Sequence, residues 1–60
     1  MIHKIKELCA ERHISIADLE YRAGLSERSV YKWDEVTPSV DKVYRVAIVL
    51  GTTVEDLLEE

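Results

Sequence analysis

The hydrophobic and polar positions of this chain follow the period of an α-helix in several short segments, and none alternates in the manner of a strand. The first predicted helix extends from about Ile2 to Arg12. Its apolar positions share one face: Ile2, Ile5, Leu8 and Cys9. His13 then occupies the position after the helix, where Gly or Asn would adopt a left-handed conformation more easily.

A second predicted helix follows Ser15, which is a suitable N-cap residue. This helix extends to about Ala23 and ends in a tight turn at Gly24, which can adopt a positive φ. Leu25 is expected to enter the core behind the turn. The inward positions of the helix are Ile16, Leu19 and Ala23.

Ser26 is predicted to cap a third helix that frays by Glu35. Val30 and Trp33, three residues apart, form its inward face, and Trp33 is expected to be a core residue. Its outward residues are Glu27, Arg28, Ser29, Tyr31 and Lys32. The second and third helices together predict a helix-turn-helix.

Ser39 is predicted to cap a fourth helix that ends at Gly51, and Thr53 to cap a short fifth helix. The fifth helix is expected to be anchored by Leu57 and Leu58. The fourth helix is apolar nearly all round and should be the most buried element; its predicted core stripe is Val40, Val43, Tyr44, Ala47 and Leu50. The expected fold class is all-α, a compact bundle of five short helices.

The chain has 60 residues, of which 47% are hydrophobic. We therefore expect a single domain over residues 1–60, either alone or as part of a longer parent chain. The one cysteine allows no internal disulfide, which is typical of a reducing compartment. The sequence contains neither an apolar run of membrane-spanning length nor a signal peptide, so we expect a cytoplasmic protein with no membrane partner.

The net charge of −4 is unusual for a nucleic-acid-binding domain, because phosphate contacts favour basic residues. The acidic excess is concentrated at the end of the chain: residues 53–60 carry Glu55, Asp56, Glu59, Glu60 and no basic residue. We read these acids as a solvated helix face.

No arrangement of residues indicates an enzyme. Cys9 lies on an apolar face without a neighbouring base, and His3 and His13 lack metal-ligand spacing. The chain has no Gly-rich phosphate loop and little room for a substrate pocket. We therefore expect no catalysis, no metal or cofactor and no small-molecule ligand.

Taken together, the motifs resemble the DNA-binding domain of phage repressor and Cro proteins, the Xre-like family. The residues that carry the resemblance run nearly end to end: I-K-E-L at 5–8, I-S at 14–15, Leu19, A-G-L-S at 23–26, V-Y-K-W-D at 30–34, P-S at 38–39 and A-I-V-L-G-T-T-V-E-D-L-L at 47–58. The resemblance implies a lambda-repressor-like fold of five helices that binds operator DNA, usually as a dimer.

Four positions depart from the usual family pattern. Glu20 stands where relatives commonly have alanine, so its carboxylate must reach solvent or find a partner. Cys9 replaces an arginine that in many relatives pairs with an acid at Asp34. Ile16 replaces a glutamine that helps to hold a phosphate, and Val36 replaces a glycine.

The predicted DNA-binding residues are those of the third helix and two N-caps. Arg28 can bond guanine O6 and N7 together, and Lys32, one turn later, can reach a base edge or a phosphate. Glu27 could accept from a cytosine amine. The other candidates are Ser29 and Tyr31 for a base or a phosphate, and Ser15 and Ser26 for phosphates, beside the open N–H groups of their helices.

The leading hypothesis is a sequence-specific transcriptional regulator, expected to be a repressor, that binds double-stranded DNA. A symmetric dimer would place two third helices about 34 Å apart in successive major grooves. Its candidate surface is Val46, Val49, Leu57 and Leu58. The alternative is a protein-interaction module or antirepressor of the same fold; steep salt dependence of DNA binding would distinguish the regulator from it.

Overall fold

A computed structural model of the chain describes residues 1–58, and all regular secondary structure in that range is helical. Its elements in chain order are α1 (Ile2–Glu11), α2 (Ile16–Arg22), a 3₁₀ helix (Ser29–Asp34), α3 (Val40–Leu50) and α4 (Val54–Leu58). The all-α prediction is confirmed, and four of the five predicted helices lie within a residue or two of their expected bounds. Glu59 and Glu60, half of the predicted acidic face, lie outside the described residues.

Three of the four predicted side-chain caps are present, those of Ser15, Ser39 and Thr53. The hydroxyl of Ser15 accepts a hydrogen bond from the N–H of Asp18 at 3.0 Å, and that of Thr53 from Asp56 at 3.1 Å. Ser39 accepts from the N–H of Lys42 at a longer 3.4 Å. Each hydroxyl satisfies an N–H group that has no partner within its own helix.

Three helices end in the same way, with a left-handed residue just past the last turn. Gly24, Gly51 and His13 have φ values of 71°, 67° and 58°. After α2, the N–H of Leu25 donates to the carbonyl of Glu20 and that of Gly24 to Tyr21, the pair of bonds that defines a Schellman motif. His13 adopts this conformation without the freedom of glycine.

The core is built from all five elements, and every fully buried apolar residue within residues 1–58 belongs to one cluster. The predicted inward positions of α1 are confirmed, as are Leu19, Val30 and Trp33. The other members of the core are Ala23, Val43, Val46, Ala47, Leu50 and Leu57. Ile16 and Leu25 are partly buried and pack against it.

The predicted core face of α3 is wrong at two positions. Val40 and Tyr44 are 76% and 56% exposed, whereas Val46 is fully buried. The helix packs through Val43, Val46, Ala47 and Leu50, which leaves the stripe of Val40, Tyr44 and Ile48 in solvent. The prediction failed because a helix apolar nearly all round has no unique apolar face to read from spacing alone.

The expected anchoring of α4 is confirmed for Leu57 and wrong for Leu58, which is 60% exposed. Burial also removes half of the candidate dimer surface, since Val46 and Leu57 are inside the core. None of the helices among residues 1–58 has the length and apolarity needed to cross a bilayer.

Candidate nucleic-acid interface

The segment between α2 and the 3₁₀ helix is held by a buried acid rather than by the predicted serine cap. Glu20 is only 3% exposed. Its Oε1 accepts a hydrogen bond from the backbone N–H of Arg28 at 2.9 Å, and its Oε2 accepts from that of Val30 at 3.1 Å. The sequence left two alternatives for this carboxylate, exposure to solvent or a bonding partner, and the structure shows the second, with two main-chain N–H groups as the partners.

Arg28 adopts the left-handed conformation, with φ 67° and ψ 7°, immediately before the 3₁₀ helix. Successive backbone units of opposite hand direct their N–H groups toward one point and form a concavity that binds an anion. Here the anion is the carboxylate of Glu20. The two N–H groups at 28 and 30 are therefore already occupied and are not open to a DNA phosphate, contrary to the prediction.

The prediction that Ser26 caps the third helix is wrong. The carbonyl of Ser26 accepts from the N–H of Ser29 at 3.1 Å, but its hydroxyl makes no cap bond, and the helix begins at Ser29. The left-handed residue at position 28 interrupts what would otherwise be a helix from Ser26. A six-residue 3₁₀ helix replaces the predicted α-helix, and Glu20 bonds the N–H of Arg28 just before it and that of Val30, its second residue.

Four side chains of this segment are exposed, and we call them the 27–32 face. They are Glu27, Arg28, Tyr31 and Lys32. Within residues 1–58, neither Arg28 nor Lys32 takes part in an ion pair, whereas Arg22 and Arg45 pair with acids one turn earlier on their own helices at 3.1 and 3.0 Å. The 27–32 face thus carries two basic groups that can reach a polyanion.

Lys6 of α1 extends the 27–32 face. Its Nζ lies 5.8 Å from the centroid of the Tyr31 ring, within the range of a cation–π contact. The contact brings a third positive charge beside the segment from a residue 25 positions away in sequence. Spacing within the third predicted helix could not have indicated this arrangement, because it depends on how α1 packs against the 3₁₀ helix.

The three serines among the predicted DNA-binding residues have different surroundings. Ser15 and Ser26 are exposed, and Ser15 also caps α2. Ser29 is half-buried, and its Oγ is buried with no hydrogen-bond partner within the described range. The prediction that Ser29 points outward is therefore wrong for its hydroxyl, which does not face solvent in this conformation.

Cys9 is buried on α1, as predicted. Burial raises the pKa of its thiol, and a smaller effect of the nearby Arg12 charge opposes that rise. A neutral thiol in this position packs as a small apolar side chain. It cannot replace the arginine that pairs with an acid in many relatives, and Asp34 is exposed.

Comparison with known proteins identifies a matching family but no matching individual protein. No curated protein and no solved structure matches the chain. A family model described as a Cro/C1-type HTH DNA-binding domain matches residues 4–59, which include all of the helices except the first two residues of α1. The 27–32 face spans the end of the turn and the start of the second helix of the helix-turn-helix. The succession of five helices agrees with this family. The chain belongs to the Cro/C1-type helix-turn-helix DNA-binding domain family.

Proposed function

We propose that this domain, taken to comprise residues 1–60, is a transcriptional repressor that occupies a specific operator in double-stranded DNA. Family membership supports DNA binding. The observation that carries the proposal is the 27–32 face, where Arg28 and Lys32 are exposed and make no ion pair within residues 1–58. Lys6 adds a third cation next to Tyr31. Such a surface suits a major groove lined by phosphates.

Each exposed residue of the 27–32 face has a role in this proposal. Arg28 donates two hydrogen bonds to O6 and N7 of a guanine, and Lys32 bonds a base edge or a phosphate. Tyr31 donates its hydroxyl to a base or a phosphate, and Glu27 accepts from a cytosine amine. Ser15 and Ser26 donate to phosphates at the edges of the groove. Ser29 has no such role while its hydroxyl is buried.

The proposed repressor binds as a homodimer, since paired half-sites double the contacts made to one operator. With Val46 and Leu57 inside the core, the proposed dimer surface consists of exposed Leu58, partly buried Val49 and the exposed α3 stripe of Val40, Tyr44 and Ile48. A selected operator with two inverted half-sites would support the dimer, and a single unrepeated site would count against it.

Selection from a random pool of duplexes, followed by fluorescence anisotropy titration, tests the function. The selected duplex should bind more tightly than a scrambled one, with affinity falling steeply between about 50 and 200 mM salt. Arg28→Ala should cost about 1–3 kcal/mol on the selected duplex and relax the preference at one base pair. Arg45→Ala, which removes the same charge from an arginine paired on α3, is the matched control.

The alternative of a protein-interaction module is a distinct outcome of the same experiment. The net charge of −4 and the closed N–H groups at 28 and 30 are the observations that favour it. No enrichment from the pool and no binding at low salt would overturn the repressor and leave that alternative. Equal losses on selected and scrambled DNA for Arg28→Ala would remove Arg28 as a base-reading residue.

A further inference from the structure

We infer that Glu20 is a positioning residue for DNA reading: by holding the N–H groups of Arg28 and Val30, it sets the direction of the Arg28 side chain and hence the base preference of the domain. This inference rests on the proposed function. It assigns a specificity role to a residue that cannot itself contact DNA, because it is almost fully buried.

The contacts of Glu20 cross from one element of the helix-turn-helix to the other. Both carboxylate oxygens are used, at 2.9 and 3.1 Å, and both partners are main-chain groups eight and ten residues away. Charge-assisted bonds to N–H groups are stronger than neutral ones, and a buried acid that loses them leaves an unsatisfied charge. The carboxylate of Glu20 therefore fixes the main chain at the start of the 27–32 face relative to α2.

The left-handed conformation of Arg28 is the link between Glu20 and specificity. A φ of 67° points the Cβ of Arg28 in a direction that a right-handed helical residue at the same position could not. A guanidinium must meet two acceptors of one guanine together, so its geometry is sensitive to the direction from which the side chain starts. Without Glu20, the N–H groups at 28 and 30 lose their partner.

The sequence itself contains the conformation that competes with the observed one. Ser26 is a suitable cap for a regular helix that would include Arg28 in right-handed form. In the structure that cap is unused, and the helix begins three residues later. Glu20 thus favours the helix that begins at Ser29 over a helix capped by Ser26. The direction of the Arg28 side chain differs between these two conformations.

The test compares Glu20→Gln with Asp18→Asn, using the selected and scrambled duplexes. Both variants remove one negative charge from α2. The loss of charge by itself should raise the affinity for the selected and the scrambled duplex by the same factor. The glutamine has the shape of Glu20 but only one acceptor atom, so it cannot hold both N–H groups. We expect Glu20→Gln to lower the ratio of selected to scrambled affinity about tenfold, and Asp18→Asn to leave it unchanged.

A double-mutant cycle separates positioning from a general loss of stability. Arg28→Ala should lower the discrimination ratio in the wild-type background and have little further effect in the Glu20→Gln background, because both changes act through the same contact. Fully additive losses, or an unchanged ratio in Glu20→Gln, would overturn the inference while leaving the repressor proposal intact. A wild-type domain that does not discriminate between duplexes would overturn both.

Hydrogen exchange in the free domain supplies a measurement that needs no DNA and whose first result comes from the wild-type protein alone. The amides of Arg28 and Val30 should be protected in the wild-type protein, although the first N–H groups of a short helix ordinarily exchange quickly. Protection should persist in Asp18→Asn and be lost at one or both positions in Glu20→Gln. Rapid exchange of both amides in the wild type would overturn the inference by itself.

Discussion

Among residues 1–58, two residues other than glycine adopt a positive φ, one at a helix end and one on the 27–32 face. His13 ends α1, and Arg28 precedes the 3₁₀ helix on the 27–32 face. The left-handed region costs a side chain of this size about 1 kcal/mol or more. At His13 this conformational cost accompanies the termination of α1. At Arg28 it coincides with the residue proposed to read a base, which is where strain is commonly retained for function.

Replacement of each residue by glycine should separate stability from recognition. Arg28→Gly and His13→Gly should each raise the free energy of unfolding by about 0.5–1 kcal/mol, since relief of strain exceeds the added entropy of the unfolded chain. Only Arg28→Gly should relax the preference for one base pair of the selected duplex. Urea unfolding and anisotropy titration measure the two effects. An equal loss of discrimination in His13→Gly would contradict the assignment.

The buried thiol of Cys9 predicts a fall in stability at alkaline pH. Its pKa is raised in the folded protein, so its contribution is complete below the ordinary value of 9.0 and is lost as the pH rises from there toward the folded value. Between about pH 8 and pH 10 the loss should reach at most about 1.4 kcal/mol. Urea titrations of wild type and Cys9→Ala isolate this effect, and parallel curves for both would contradict it.

At the scale of elements, the sequence predicted most of the helices because their ends are local. Ser15, Thr53 and Gly51 each act within a few residues of their own position, and each does what its position predicts. The third predicted helix failed because its start is set by Glu20 from another element. The sequence indicated that the carboxylate of Glu20 must reach solvent or find a hydrogen-bond partner. It could not show which groups would be that partner.

The serines at the two helix starts should respond differently to truncation. Ser15→Ala removes an observed cap and should lower the free energy of unfolding by about 1 kcal/mol. Ser26→Ala removes an exposed hydroxyl without a cap bond and should change it by less than about 0.5 kcal/mol. Thermal or urea unfolding compares them. A larger loss for Ser26→Ala would indicate that the segment spends time in the regular helix starting there.

At the scale of the whole molecule, charge is distributed unevenly over a small body with a radius of gyration of 10.0 Å. The 27–32 face and Lys6 bring three cations together, whereas Glu55 and Asp56 lie in the first turn of α4. An excess of four negative charges weakens the attraction of the whole domain to DNA. Binding must then depend on few phosphate contacts.

This distribution predicts that the salt dependence of affinity comes mainly from the cations of the 27–32 face and Lys6. Each neutralised phosphate contributes a slope of about −0.9 to a plot of log affinity against log salt concentration. Lys6→Gln and Lys32→Gln should each reduce the slope by about one unit if their cations contact phosphates. Arg45→Gln, whose partner Asp41 lies on its own helix, should leave it unchanged. Equal changes in all three variants would indicate a general charge effect instead of local contacts.

Both partners of Glu20 are backbone N–H groups, and every amino acid except proline carries such a group. The identities of the exposed residues at 27, 31 and 32 can therefore be exchanged without removing the anchor beneath them. The domain should accordingly serve as a scaffold in which a library at these positions yields new target preferences. If position 20 is varied together with them, Glu20 should be retained in the folded, selected clones.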